Sequence, residues 1–499
     1  MNAAAWTGVR AGAGVSGGTA TDGGAPTTTL PGPKVSQSEA SELVRPRHDG
    51  SVAVRLARSA AAREGAGIRT ADVAGWLAER ARAHPFAVTR IPFDALQNWS
   101  FDEATGNLVH HSGRFFTVEG LDVSTGSPER GADGPERRWQ QPVIVQPEVG
   151  ILGLLCRQID GVPHFLLQAK MEPGNVDLLQ LSPTVQATYS NYTRVHRGTG
   201  VRYLEYFTDP GRGRVITDVL QSEHGSWFHR KVNRNMVVEV RDDVPAHDDF
   251  RWLTLGQIHR LLGLDHLVNM DTRTVLSCLP FADPHASALH HDAEQRSWIT
   301  GQRTAHRLRA RRIPLDSVGD WQRSADRIEH SGGRHFQVAA VEVRAGNREV
   351  GQWSQPLFAP LGTGVTALVL RRFGGVVHVL MRVRPEAGHG DVLELGPTVQ
   401  CIPGSHDTPP PFLDLVLGAG PERVRYDTEH GEEGGRFLEA RTRCLIVEAG
   451  ADEAPTQAPP GFRWFTPGQL TALVQHGRYV NVQARTLLAC LNSIREELG

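Results

Sequence analysis

The chain has 499 residues, of which 39% are hydrophobic and 22% charged, and its formal net charge at neutral pH is −2. This composition is typical of soluble globular proteins, and the length suits two domains of roughly 200 residues that each bury a core. The nearly neutral charge and the scattered basic residues argue against a nucleic-acid surface. No segment is long and apolar enough to predict a membrane span.

Residues 1–50 are rich in Gly, Ala, Thr and Pro and lack apolar periodicity, which predicts a disordered tail. They also lack the charged-then-apolar order of a signal peptide, so we expect a cytoplasmic protein. Helical patterns follow at 51–63 and 70–82, the second with a cap at Thr70. These two segments predict an N-terminal helical extension.

Two long parts of the chain repeat each other. Residues 139–186 align without a gap with 353–400 at an offset of 214, and 251–279 align with 463–491 at an offset of 212. A repeat of this length is a duplicated domain and not a short solenoid unit. The alignment divides the chain into a tail at 1–50, copy 1 with its helical extension at 51–289, a charged linker at 290–312, and copy 2 at 313–499.

Each copy combines short Val- and Leu-rich runs with helical segments. The runs read as hairpin strands at 149–156 and 164–169, turning at Asp160-Gly161, and at 365–370 and 376–381, turning at Gly374-Gly375. Each copy ends in a helix, at 255–262 or 467–475, and a further run to Leu279 or Leu491. The predicted fold class is α/β (α+β), with two tandem mixed-sheet domains.

Polar residues concentrate in copy 1 after an apolar strand. The segment 168–206 carries Lys170, Glu172, Asn175, Asp177, Gln186, Tyr189, Asn191, Tyr192, Arg194, His196, Arg202 and Tyr203. Such a loop suits a small ligand, although irregular backbone also needs polar partners. Copy 2 keeps Glu386 and Gln400 but has Arg384 in place of Lys170 and lacks the tyrosine-rich run, so we expect the reaction chemistry in copy 1.

A second polar cluster lies at 221–240. It contains Glu223, His229, Arg230, Lys231, Asn233 and Arg234, and its copy 2 counterpart at 431–449 keeps Glu432, Arg436 and Arg443. Cations and an amide at this density suit a diphosphate; a solvated strand edge is the alternative. Trp139 and Trp353 are candidates for stacking on a base or sugar, or for a place in the core.

Four motifs resemble the NDP-hexose 2,3-dehydratases of deoxysugar biosynthesis, and the resemblance covers roughly residues 85–495. The motifs are QAKMEPGNVDLLQLSPTVQATYSNYT, LQSEHGSWFHRKVNRNMVVEV, FRWLTLGQIHRLL and VNMDTRTVLSCLPF. The resemblance implies two Nudix-like halves, a homodimer and dTDP-4-keto-6-deoxyglucose as the substrate. It also implies a lyase reaction that removes water across carbons 2 and 3, and an NADPH-dependent 3-ketoreductase that consumes the 3,4-diketo product.

A Nudix hydrolase would carry an Arg-Glu-x-x-Glu-Glu metal motif, but the two copies have TYSNYTRVHRG and CIPGSHDTPPP there. The five cysteines lack short pair spacings, and no Gly-rich dinucleotide fingerprint follows a predicted strand. We therefore expect no metal and no cofactor. Two other classes stay open, namely a metal-dependent nucleotide-sugar pyrophosphohydrolase and a non-catalytic nucleotide-sugar binding protein.

Elimination of water from a 4-keto sugar needs a base, a donor for the enolate and an acid for the leaving hydroxyl. The sequence predicts Glu172 or His196 as the base, Lys170 as the enolate donor, and Tyr189 or Tyr192 as the group that assists the hydroxyl. Residues predicted to bind the nucleotide sugar are Trp139, Gln186, Asn191, Arg194, Arg202, Arg230, Lys231, Asn233 and Arg234, with Trp353 and Arg436 forming an equivalent pocket in copy 2.

Overall fold

The computed structural model describes residues 50–126, 137–189, 200–281, 287–346, 350–405 and 408–498. They all belong to one compact unit, Gly50–Gly499. The predicted tail at 1–50 lies outside the described residues except for Gly50, as do Asn191, Tyr192, Arg194 and His196.

The chain enters copy 1 through two helices, α1 (Gly50–Ala61) and α2 (Val73–Ala83). α1 buries Val52, Leu56 and Ser59, which are spaced so that they share one face. The Ser59 hydroxyl donates to the Pro163 carbonyl at 2.5 Å and accepts from the backbone N–H of Leu255 at 2.9 Å. The predicted helical extension is confirmed, and it is fixed to copy 1.

The main sheet of copy 1 has seven strands in the part of the chain that the structure describes. They are β6 (Gly150–Ile159), β7 (Val162–Met171), β8 (Leu179–Ser182), β9 (Val185–Ala187), β10 (Arg214–Ser222), β11 (Val232–Val240) and β12 (Phe250–Thr254). Their order is β10-β11-β6-β7-β12, with β9 on β6 and β8 on β7; β11 is parallel to β6. The predicted turn at Asp160-Gly161 is present, and both residues have the positive φ angles that a tight hairpin requires.

Helices cover this sheet, and apolar side chains are buried on both of its faces. They are α3 (Glu205–Thr208), α4 (Leu255–Leu262) and α5 (Met270–Ser277). α4 begins with a reciprocal capping box, in which the Thr254 hydroxyl accepts from the N–H of Gln257 and the Gln257 amide oxygen accepts from the N–H of Thr254. This local signal explains why the predicted and observed bounds of α4 agree.

Copy 2 repeats this sheet. Its elements are β18 (Gly364–Phe373), β19 (Val376–Pro385), β20 (Leu393–Gly396), β21 (Val399–Cys401), β22 (Val424–Gly431), β23 (Arg441–Glu448), β24 (Phe462–Phe465), α7 (Leu413–Leu417), α8 (Pro467–Val474), α9 (Val482–Ser493) and α10 (Arg495–Leu498). The strand order β20-β19-β18-β23-β22, with β21 on β18 and β24 on β19, matches the pairing in copy 1. α8 has the same capping box, from Thr466 and Gln469. The predicted α+β class with two similar halves is confirmed.

Two five-stranded sheets in the described ranges are built from strands of both copies. Their strands are β1 (Phe86–Ile91), β2 (Trp99–Phe101), β3 (Leu108–His110), β4 (Thr117–Gly126), β5 (Arg137–Val145), β13 (Arg307–Ile313), β14 (Trp321–Arg323), β15 (Arg327–His330), β16 (Phe336–Ala345) and β17 (Gln352–Pro360). β1 pairs with β16 of copy 2, and β13, at the corresponding place before copy 2, pairs with β4 of copy 1. The two halves therefore exchange their first strands.

The segment 290–312 is regular structure. It consists of α6 (Asp292–Ala305) and most of β13. α6 buries Ile299 in the core of copy 2, and the Gln295 amide donates to the Trp464 carbonyl at 2.7 Å. This charged segment thus begins on copy 2 and ends in a sheet of copy 1.

The cores of the two copies interlock where α5 and α9 meet. The buried Arg485 donates to the Thr274 hydroxyl at 2.9 Å and to the Ser222 carbonyl at 2.6 Å, and the buried Arg273 donates to the Gly431 carbonyl at 2.6 Å. Each of these cations crosses into the other copy, so the contact between the halves is polar as well as apolar.

Among the described helices, none combines the length and apolar character needed to cross a membrane.

Candidate active site

The first part of the site lies at the end of β7. The Lys170 ammonium is 3.2 Å from Glu172 Oε1, and both side chains are buried. Gln186 on β9 donates to Glu172 Oε1 at 3.0 Å, and Asn269 donates to Gln186 Oε1 at 3.3 Å. Because Asn269 also caps α5 by accepting from the Thr272 N–H, a helix terminus fixes the amide that orients the carboxylate.

Copy 2 forms a wall of this site through the loop between β22 and β23, which we call the 432–440 loop. The Gly174 N–H donates to the Gly434 carbonyl, and the Glu439 N–H donates to the Gly174 carbonyl, both at 2.7 Å. A Cβ at Gly174 would collide with the Phe437 carbonyl, so this close approach requires glycine. The contact brings three residues of copy 2, Glu433, Gly435 and Arg436, to copy 1.

Two cations lie beside this wall. Arg436 donates to Gln146 Oε1 of copy 1 at 3.1 Å and stacks over Phe116 at 4.4 Å. The Lys231 ammonium donates to the Glu148 carbonyl, and burial lowers the pKa of Lys231 to about 8. Sequence reasoning placed Arg436 in a copy 2 pocket with Trp353, but its charged end belongs to the copy 1 cluster.

The corresponding carboxylate of copy 2 is surrounded by partners of its own. Glu386 Oε1 accepts from Arg384 at 3.0 Å, Gln400 at 3.1 Å and Ser226 at 3.2 Å, while Oε2 is 3.2 Å from His389. Although burial raises it, the pKa of Glu386 is held well below its ordinary value by His389 and Arg384. A carboxylate held by these four groups is suited to structure and not to proton transfer at neutral pH.

Two predicted binding residues make contacts within the sheet. Asn233 donates to Glu223 Oε1 at 2.7 Å and accepts from the Gly150 N–H at 3.0 Å. Arg234 on β11 forms an ion pair with Asp218 on β10 at 2.6 Å, and the same pair recurs in copy 2 between Arg443 and Asp427. The structure therefore gives the half-buried Arg234 a structural partner on the neighbouring strand.

The remaining predicted residues are spread more widely. Trp139, Tyr189 and Arg202 are exposed, and Trp353 packs edge-on against Phe86 with 6.3 Å between ring centroids. Arg230 lines a cavity of about 240 Å³ with Ser222, Val232, Gly390 and Arg478. Its N–H donates to the Gly388 carbonyl at 2.7 Å, so Arg230 lies where copy 1 approaches the copy 2 site.

Sequence reasoning missed two carboxyl groups at the site. Asp271, in the first turn of α5, is fully buried near Lys170, and burial raises its pKa well above the ordinary value. Glu433, in the 432–440 loop, has its carboxylate beside that of Glu172. Neither carboxyl group is present in the other copy. Asp271 aligns with Gln483, and Glu433 corresponds to His224, because the two residues make the same backbone hydrogen bond in their loops. A carboxyl group that only one copy carries is the signal that could have revealed both residues.

In the described ranges no group of three or more His, Cys, Asp or Glu side chains is arranged to hold a metal ion.

A family model described as NDP-hexose 2,3-dehydratase matches residues 70–279, within copy 1, and again 292–491, which spans α6, β13 and most of copy 2. The chain belongs to the NDP-hexose 2,3-dehydratase family. The resemblance seen in the motifs is therefore confirmed.

Three relatives within the dehydratase family carry one name, dTDP-4-dehydro-6-deoxy-alpha-D-glucopyranose 2,3-dehydratase. The protein from Amycolatopsis orientalis is 55% identical over 90% of this chain and 96% of its own length. Those from Saccharopolyspora spinosa and Streptomyces violaceoruber are 50% and 49% identical, each over 86% of this chain and over 92% and 98% of their own lengths. A solved structure titled as an ADP compounds hydrolase covers 33% of this chain and 86% of its own at 14% identity, with a TM-score of 0.22.

Proposed function

We propose that this chain is a hydro-lyase that eliminates water across carbons 2 and 3 of dTDP-4-keto-6-deoxyglucose. The observation that carries the proposal is the identity of 49–55% to three dehydratases of that name over 86–90% of the chain. The difference between the two sites supports it, because the position of Lys170 is taken in copy 2 by Arg384, which holds Glu386 together with His389.

The reaction is a redox-neutral elimination. A base removes the carbon-3 proton, the bonding pair forms the C3–C4 double bond, and the carbonyl pair moves onto oxygen. When the ketone re-forms, the pair moves to C2–C3, the C2–O bond breaks, and the hydroxyl takes a proton and leaves as water. The resulting enol tautomerises to the 3,4-diketo sugar.

We assign the deprotonation to Glu172 and the stabilisation of the enolate oxygen to Lys170. An ammonium 3.2 Å from Glu172 favours the ionised carboxylate that a base requires. The buried ammonium is also a preorganised donor for the negative charge that develops on carbonyl oxygen. His196 is the other candidate for the base from the sequence. For the group that assists the leaving hydroxyl, the sequence offers Tyr189 or Tyr192.

For the nucleotide, we propose Lys231 and Arg436 as cations that lie beside the reacting groups, and Trp139 and Arg202 as further contacts. Arg194 stays a candidate from the sequence. Copy 1, residues 51–289, is then the catalytic half. Copy 2, residues 313–499, is a structural or nucleotide-binding half. In this proposal the enzyme is a cytoplasmic homodimer of natural-product deoxysugar biosynthesis and needs no cofactor. An NADPH-dependent 3-ketoreductase consumes its unstable product.

Incubation of the pure protein with dTDP-4-keto-6-deoxyglucose, with and without such a ketoreductase, tests the proposal. We expect a product that has lost one water, trapped in reduced form when the reductase and NADPH are present. Mg²⁺-dependent release of dTMP would show a pyrophosphohydrolase instead. Saturable binding without turnover would show a binding protein.

Metal dependence provides a separate check. The chain lacks the carboxylate motif of a Nudix metal site, so we expect full dehydratase activity after dialysis against EDTA. Loss of activity that a divalent ion restores would contradict the proposed cofactor-free elimination.

A further inference from the structure

Glu433 belongs to copy 2, yet its carboxylate faces copy 1. A Cβ placed on Gly435 would lie 3.4 Å from Glu433 Oε1 and 3.6 Å from Glu172 Oε1. The two carboxylates therefore converge on the same side of Gly435, which has no side chain to separate them. One carboxylate comes from each half of the molecule.

The charged groups that face Glu433 come from both copies. They are Glu172, Glu223, Lys231, Asp271 and Arg436. Burial raises the pKa of the Glu433 carboxyl to about 7, opposed by Arg436 and reinforced by Glu223 and Glu172. At neutral pH this carboxyl holds a proton for a large part of the time, which a general acid requires.

Other polar groups around the pair point to a ligand. Within the described residues, both amide atoms of Gln180, Oδ1 of Asp271 and Oε2 of Glu223 are buried without a hydrogen-bond partner. Gln180 is paired with Lys170 in the β7–β8 register, so the two side chains share one face of the sheet. Because buried polar groups are normally hydrogen-bonded, this set is suited to a polar molecule such as a sugar.

The matching position in copy 2's site carries an imidazole and not a second carboxylate. The residue there is His224, whose Nε2 is 3.0 Å from Glu432 and whose ring stacks on Trp227 at 5.3 Å. Glu386, the counterpart of Glu172, is held by Arg384, Gln400, Ser226 and His389. In the described part of the chain, the copy 1 site therefore brings Glu172 and Glu433 together, whereas the copy 2 site has Glu386 and His224 at these two positions.

We propose that Glu433, carried by copy 2, is the acid that protonates the departing carbon-2 hydroxyl while Glu172 of copy 1 removes the carbon-3 proton. This inference rests on the proposed function. Glu172 gains one proton and Glu433 loses one as water leaves. Tautomerisation then restores both, since the enol O–H gives up a proton and carbon 2 takes one. The catalytic site is shared between the copies.

The test separates deprotonation from loss of water. Purified Glu433→Gln is incubated with dTDP-4-keto-6-deoxyglucose in D₂O, and exchange at carbon 3 and turnover are both followed by NMR. We expect turnover to fall by about a hundredfold or more while carbon-3 exchange continues, because the base remains. Glu172→Gln should lose both. Glu422→Gln, an equivalent change on a side chain that is 74% exposed, should keep both.

Each other outcome has a definite meaning. If the wild-type protein neither dehydrates nor exchanges, the proposed function fails. If the wild type is active and Glu433→Gln has wild-type turnover, the function stands and the inference is wrong. Loss of exchange together with turnover, in a protein that circular dichroism shows to be folded, overturns the acid role and leaves Glu433 at the deprotonation step.

A second variant keeps the test decisive if Glu433→Gln does not fold. Glu433→Asp retains the carboxyl but withdraws it by one methylene, and a displacement of that size should lower turnover about tenfold or more. Carbon-3 exchange should again persist. Wild-type turnover in Glu433→Asp would overturn the inference.

Discussion

At the scale of single residues, aligned positions in the two copies have acquired different surroundings. Lys170 and Arg384 both contact the glutamate two residues further on. Arg384 also donates to the Gln400 carbonyl at 3.2 Å, and a planar guanidinium with several fixed donors is suited to holding a buried carboxylate in place. The compact ammonium of Lys170 is better suited to a charge that appears during a reaction.

Substitution of these two cations should therefore have different effects. Lys170→Ala should lower the turnover number by about a hundredfold, because one preorganised donor contributes on the order of 3 kcal/mol to an enolate-like transition state. Arg384→Ala should lower the melting temperature, because Glu386 loses a buried partner, and leave turnover nearly unchanged. Turnover in the coupled assay at saturating substrate and thermal melts measure the two effects. Equal turnover losses would contradict a single catalytic pair.

Glu433 should also make stability depend on pH. Its pKa is raised from an ordinary value of 4.5 to about 7, so between these pH values the folded state binds more protons than the unfolded state. Its contribution to stability is complete below about pH 4.5 and is lost as pH rises through 7. The melting temperature of Glu433→Gln minus that of the wild type should therefore rise from about pH 5 to 7, and this difference should then stay constant. A difference that shrinks over this range would contradict the raised pKa.

At the scale of elements, two glycine crossings join the copies. Gly174 meets the 432–440 loop, and Gly388 meets residues 225–230 with the same pair of hydrogen bonds at 2.7 Å. At either glycine a Cβ would collide with a backbone carbonyl, of Phe437 or Phe228. These contacts decide how close Glu433 and Arg436 come to Glu172.

Alanine at the first crossing should be costly. Gly174→Ala forces the 432–440 loop away, and we expect a loss of stability on the order of 3 kcal/mol together with loss of turnover. Gly75→Ala in the first turn of α2 is the matched control: a Cβ there meets nothing within 4 Å, and alanine there should be neutral or stabilise by up to about 1 kcal/mol. Chemical denaturation measures both. A neutral Gly174→Ala would show that the loop can relax.

At the scale of the molecule, the reciprocal exchange of β1 and β13 makes the halves interdependent. Each small sheet needs a strand that the other half provides. The cores are shared as well: Val219 and Cys278 of copy 1 lie in the main core of copy 2, and Ala489 of copy 2 lies in the main core of copy 1. A proton-transfer site that uses Glu172 and Glu433 needs both halves as well.

The two halves should not fold separately. A chain cut between residues 281 and 290 gives fragments in which β1 or β13 lacks its sheet and leaves the partner edge strand unpaired. We expect each fragment alone to aggregate or melt without cooperativity, and co-expression to restore a single complex with dehydratase activity. Size-exclusion chromatography and circular dichroism test this. A cooperative melt of either fragment alone would contradict it.

The sequence by itself determined the features that depend on neighbouring residues. The hairpins at Asp160-Gly161 and Gly374-Gly375 were predictable because tight turns need residues that accept positive φ. The helices after Thr254 and Thr466 were predictable because capping boxes are local. The duplication and the family were also readable from the chain.

The tertiary structure decided which strand joins which sheet and which half completes the site. β1 and β13 begin the two copies at corresponding places, so nothing in either segment specifies a partner hundreds of residues away. Comparison of the copies drew attention to Lys170 but not to Glu433, because Glu433 lies in copy 2, which was expected to carry no chemistry. Its role depends on a close crossing at Gly174, and such a contact between distant segments leaves no periodic pattern in the sequence.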